Sequence, residues 1–176
     1  MKRWHIVLFA VPLVGLLVFA VPAAGQGGAD RPFNATLTGA VTYAWPGAYP
    51  SNCTIATTVT DATGQATHMG RVVLAASHCP AEPAYVIDGR LTITAANGDT
   101  LSGQYDYDPA SPSPSLAVAW TGGTGRFAGA SGAAVLTFKV VPQFIAGCNP
   151  SPNPFPCFDF SVPWPWSATL VGTISY

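Results

Sequence analysis

Charged side chains are scarce in this chain. Seven basic and eight acidic residues make up 9% of its 176 positions. Nucleic-acid binding needs a basic footprint, and none is present. Beyond the first few residues, Arg31, Arg71, Arg90, Arg126 and Lys139 face eight acidic residues, a net charge near −3. Helical periodicity is also missing, since no long stretch after the N-terminal segment repeats apolar residues every three or four positions. There is no CxxC or HxxxH spacing to hold a metal, and no nucleophile elbow or phosphate loop. These absences predict no metal, no cofactor and no nucleic-acid partner. Few charges and many Thr, Ser, Gly and Ala predict a surface made polar by hydroxyls.

The N-terminus begins Met1-Lys2-Arg3 and then runs apolar from Ile6 to Pro22, with small residues after it. A basic head, an apolar run and a small-residue tail describe a secretory signal peptide. Cleavage fits after Ala23 or after Gly25. We take residues 1–25 as the signal and 26–176 as one domain, secreted to an extracellular or periplasmic space. The chain would then meet a membrane only through the signal before cleavage. A retained anchor is the competing reading, although the run is slightly short for a span. The mature length of about 150 residues suffices for one domain with a sizeable core.

Four cysteines, Cys53, Cys79, Cys148 and Cys157, are an even count for a secreted chain. Of the three pairings, Cys53–Cys79 and Cys148–Cys157 close the shortest loops and are preferred. The second would staple a segment with four prolines, which cannot order itself by strand pairing.

Period-two alternation recurs through the rest of the chain. Phe33 to Tyr43, Ile55 to Val59, Ala66 to Ala76 and Arg90 to Ala96 read as four strands, with a turn at Asp61–Gly64 after the second. Asn97-Gly98 reads as a type I′ hairpin turn. Thr100–Tyr107, Leu116 to Trp120, Ala133–Val141 and Trp166 to Tyr176 complete the set. An even number of sequential antiparallel strands can pair last with first and so lose both edges. The expected fold is therefore all-β, an eight-stranded antiparallel up-and-down barrel, with a two-sheet sandwich as the alternative.

Between the sixth and seventh strands lies Gly122-Gly123-Thr124-Gly125-Arg126-Phe127-Ala128-Gly129-Ala130-Ser131-Gly132. Five glycines in this run mark a backbone that bends tightly. Phe127 within it suits a plug for the barrel bottom, and Arg126 suits a clamp to Asp99, Asp106 or Asp108. Taken with Ala66-Thr67-His68-Met69-Gly70-Arg71 and the stretch Leu91 to Leu101, in this order, the run resembles the secreted bacterial allene-oxide-cyclase-like and dirigent β-barrels. The resemblance implies a calycin-like barrel with a central cavity and, by analogy, homo-oligomers. It carries no activity, because the family's acidic catalytic residues match no position here.

Candidate site residues follow from polarity on strands. His68, on an inward face, would be a neutral imidazole able to bind or shuttle a proton, with a structural histidine bonded to backbone as the alternative. Arg71 is read on the opposite face. Tyr105 and Asp106 belong to an alternation of aromatic and acidic residues, where a cavity-facing Asp would serve as an acid or base. Arg126 is the clamp or a holder of a ligand carboxylate. Trp164 and Trp166, near Phe155, Phe158 and Phe160, line a mouth by stacking or pack as a lid. His78, beside Cys79, reads as a loop residue. The expected function is a secreted barrel binding a small apolar ligand or a partner, and a non-enzymatic role is favoured. A cyclase- or isomerase-type enzyme using the cavity is the first alternative, and a small outer-membrane barrel, suggested by the terminal Tyr176, is the second.

Overall fold

The computed structural model describes residues 28–44, 53, 57–81, 85–107, 115–148 and 157–176. Residues 1–25, where a signal peptide is expected, lie outside the described residues. Eight strands, β1 (Arg31–Ala44), β2 (Thr57–Ala66), β3 (Gly70–Ala81), β4 (Tyr85–Ala95), β5 (Thr100–Tyr107), β6 (Ser115–Gly123), β7 (Ala133–Val140) and β8 (Trp164–Ile174), follow one another around a closed barrel. Every neighbouring pair is antiparallel, and β8 returns to β1 with Ala35 opposite Leu170. Closure leaves no free edge, and the two-sheet alternative is excluded.

Alternation decides the faces. Phe33, Ala35, Leu37 and Val41 point inward from β1, and Leu91, Ile93 and Ala95 from β4. Thr36, Thr38, Asp61, Gln65, Arg71, Arg90, Gln104 and Lys139 are exposed on the outside. The interior is therefore apolar, and the outer wall mixes polar residues with exposed valines, Val73, Val135 and Val171.

The two ends of the barrel differ. At one end the glycine run crosses the opening as a 3₁₀ turn, Gly125–Phe127, and drops the Phe127 ring inside with no exposed surface. Phe127 meets Tyr176 with ring centroids 4.9 Å apart, and Phe33 meets Trp120 at 5.0 Å. The Trp120 Nε1–H donates to the Thr173 carbonyl at 3.1 Å. Above the plug, Arg126 lies 3.5 Å from Asp99. Gly125 is in the left-handed region (φ +58°), and a Cβ there would collide with the Asp99 carboxylate. Glycine at this position thus both makes the turn and admits the anion. Leu37, Leu74, Ile93 and Leu170 fill the layer beyond, and all are almost fully buried.

Three local expectations change. The segment Asp61–Gly64 continues β2, with Asp61 opposite Ala40 and Gly64 opposite Leu37, because pairing on both sides outweighs its turn-forming residues. The turn lies at Thr67–Met69 instead, with His68 at φ +65°. Between β4 and β5 only Gly98 has positive φ (+88°), and the loop is closed by Gly98 N–H to Ala95 O and Ala95 N–H to Asp99 O, each 2.9 Å. This is a three-residue hairpin with glycine at the left-handed position, not a type I′ turn.

Candidate functional site: a one-mouthed apolar cavity

Among the described residues, the other half of the barrel is not filled. A cavity of about 250 Å³ opens at the end where β1, β3, β5 and β7 finish. Leu74, Leu116 and Leu136 form its deeper apolar wall, and Val41, Ala76, Pro80, Val86, Phe138, Val140 and Trp166 its sides. Both disulfides lie on segments at this end. Cys53–Cys79 ties the segment after β1 to β3, and Cys148–Cys157 closes the connection between β7 and β8.

The polar groups in the wall are Tyr43, Thr58, Thr60, His78 and Tyr105. His78 is on β3, not in a loop. Its face is set by Val72, Leu74 and Ala76, all on the same inward parity. Its Nδ1 is 3.0 Å from the Tyr105 hydroxyl, and the two rings meet edge to face at 5.8 Å. These residues come from strands that are not neighbours, since β4 runs between them. Two features of β4 permit the contact. Ser77 pairs with Arg90 and Cys79 with Ile87, so Asp88 and Gly89 both stand opposite His78 as a bulge, with Asp88 at φ +53°. Bulges of this kind re-aim neighbouring side chains. Gly89 is directly opposite Tyr105, and a Cβ on it would lie 2.6 Å from the Tyr105 ring. Lacking one, Gly89 lets the ring cross β4 and reach His78.

Burial in this wall lowers the His78 imidazole from 6.5 to about 4, because the charged form loses its hydration. Burial likewise raises the Tyr43 phenol above its usual value of 10.0. Both groups are neutral at pH 7. The His78 shift has a consequence for stability. The unfolded chain takes up the proton near pH 6.5 and the folded chain only near pH 4, so stability is complete above the first value and falls as pH drops through that window. The loss reaches roughly 3 kcal/mol below pH 4. Urea denaturation of wild type and His78→Leu at pH 7 and pH 4 should show a smaller acid loss in the variant by about that amount.

Trp166 lines the cavity, whereas Trp164 is buried among Tyr43, Phe158 and Phe160 with centroids 5.0 to 5.4 Å away. Its indole N–H donates to the Asp159 carbonyl at 2.7 Å. Trp164 therefore builds the rim of the mouth, and Trp166 faces the cavity. The remaining sequence candidates lie elsewhere. His68 is exposed in the β2–β3 turn with Nε2 3.0 Å from the Pro32 carbonyl oxygen, the structural histidine weighed as its alternative. Arg71 lies in an open groove on the outer wall beside Val73 and Thr94. Asp106 is outside, near Arg90 and the β4 bulge, and Arg126 is at the sealed end. Of the seven, the structure brings Tyr105 and Trp166 to the cavity. His78 was the residue missed, although its parity with Val72 and Leu74 was a readable signal.

Fold and cavity together define a closed antiparallel barrel with one sealed end and one apolar chamber. No protein-family model and no curated protein matches the chain. Among solved structures, the pterocarpan synthase dirigent protein is similar, at 16% identity over 84% of this chain and 86% of that chain, with a TM-score of 0.46.

Proposed function

We propose that this is a secreted barrel that binds a small, uncharged, largely apolar molecule in the chamber beside His78, Tyr105 and Trp166. The lining carries this reading, for among the described residues around the cavity there is no Asp, Glu, Lys or Arg. An ionised ligand would be buried without a countercharge, which is strongly unfavourable. Size agrees as well. An apolar cavity of about 150 Å³ accepts benzene, so a volume near 250 Å³ suits a bicyclic skeleton. Two disulfides support an oxidising destination, in keeping with export directed by residues 1–25. An apolar interior is the reverse of the polar lumen of a membrane-spanning barrel.

The test is titration of the mature chain with naphthalene and with 2-naphthoate, followed by Trp fluorescence and NMR shifts. Naphthalene should perturb the methyl signals of Val41, Leu116 and Leu136, and the carboxylate should bind at least about tenfold more weakly. Ala76→Phe, which fills the chamber, should weaken naphthalene binding by on the order of 100-fold with the fold intact. Equal binding by wild type and Ala76→Phe, or no binding at all, would rule the reading out.

A further inference from the structure

We propose that the His78–Tyr105 pair is a two-way hydrogen-bonding subsite that reads one neutral oxygen, a carbonyl or a phenolic hydroxyl, on the ligand of this cavity. The inference rests on the binding role of the chamber and adds to it the chemical class of the ligand.

A neutral imidazole carries one N–H donor and one bare acceptor nitrogen, and a phenol both donates and accepts. In this pair one nitrogen, Nδ1, is engaged with the Tyr105 hydroxyl at 3.0 Å. The other, Nε2, has no protein partner among the described residues, yet it is not among buried polar atoms left unsatisfied. It is therefore reachable by a small molecule, and His78 lines the chamber. Two arrangements are open to the pair. In the first, the Tyr105 O–H donates to Nδ1, and Nε2 bears the proton and donates to a carbonyl oxygen. In the second, Nδ1–H donates to the Tyr105 oxygen, and bare Nε2 accepts from a phenol. Each arrangement serves one kind of ligand oxygen, and neither needs an ionised form. The low basicity of His78 keeps both arrangements available across physiological pH.

The surroundings make this subsite consequential. Leu74, Leu116, Leu136 and Phe138 keep it in apolar surroundings, where a hydrogen bond is stronger than in water. Gly89 admits the Tyr105 ring, and the Cys53–Cys79 bridge holds the strand end next to His78. A pair held this firmly reads position as well as polarity.

Three probes of one shape test the proposal: indane, 1-indanone and 4-indanol, titrated into the mature chain by calorimetry. The ketone and the phenol should each bind about tenfold more tightly than indane, the gain of one sheltered hydrogen bond. His78→Leu should bring the affinities of the three probes together. In Tyr105→Phe, where Nδ1–H loses its acceptor, the phenol should lose its advantage and the ketone keep it. The ¹⁵N shifts of the His78 ring should show Nε2–H with indanone and Nδ1–H with indanol. Indane binding with no advantage for either oxygen probe would overturn the subsite and leave the binding role standing, whereas failure of all three to bind would overturn both. The same tautomer in both complexes, or oxygen selectivity unchanged in both variants, would also overturn the subsite.

Discussion

Phe127→Ala should lower the stability of the barrel by about 3–5 kcal/mol, the usual cost of emptying a fully buried aromatic site. The Phe127 ring has no exposed surface. It closes the sealed end against Tyr176, and the strand ends around it are joined by paired hydrogen bonds between Ser131 and Ser175. The 3₁₀ turn above it is tied to β5 by Thr124 N–H to Thr100 O and Thr100 N–H to Thr124 Oγ1, which limits the collapse of the site. For a domain of this size the loss corresponds to a melting temperature lower by roughly 10 °C or more. Ligand affinity of the folded protein should stay unchanged, since the layer of Leu37, Leu74, Ile93 and Leu170 separates the plug from the chamber. Denaturant unfolding together with naphthalene titration of the same variant checks both parts. A stability loss under about 1 kcal/mol would contradict the plug.

Removing the Cys53–Cys79 bridge by double alanine substitution should cost about 3.5 kcal/mol, from the chain entropy of a loop of this length. The two residues are 26 apart in sequence, against nine for Cys148–Cys157. The same expression gives about 2.5 kcal/mol for the shorter loop, so the two variants should rank in that order by urea midpoint. The first bridge has a second effect that the other lacks. Cys79 follows His78 and lies next to the β4 bulge, so its release should loosen the His78–Tyr105 contact. The His78 titration midpoint, seen by NMR, should then rise from about 4 toward its ordinary value as water reaches the ring. A Cys148/Cys157 double variant should leave that midpoint in place.

Much of the architecture was legible because alternation is a local property. Phe33, Leu37 and Val41, or Leu116, Val118 and Trp120, announce an inward face without knowledge of any partner strand. The glycine run likewise announced a bend that holds Phe127 and Arg126. Turn positions were less legible. The Asp61–Gly64 segment has turn chemistry, yet β1 and β3 both pair with it, and ladder bonds on two sides prevail over local preference.

The site was less legible still. Asp106 and Arg71 attract attention as charged residues, but their parity puts them on the outer wall. His68 is held in a turn by a carbonyl of the adjacent strand. His78 looked unremarkable beside a cysteine, and its partner Tyr105 is 27 positions away on a strand that does not touch its own. Nothing in either local segment specifies that contact. It depends on a bulge and a missing side chain at Gly89 of the strand between them.

By itself the sequence determined the strands, their apolar faces, the plugging bend, the most economical cysteine pairing and the poverty of charge. Each of these depends on side-chain period, loop length or composition, which act within a few residues or along the chain. Only the tertiary structure decided that the sheet closes, that one end fills while the described residues of the other leave a cavity, and that His78 meets Tyr105 across β4. Those outcomes depend on the summed volume of eight inward faces and on registers set between distant strands.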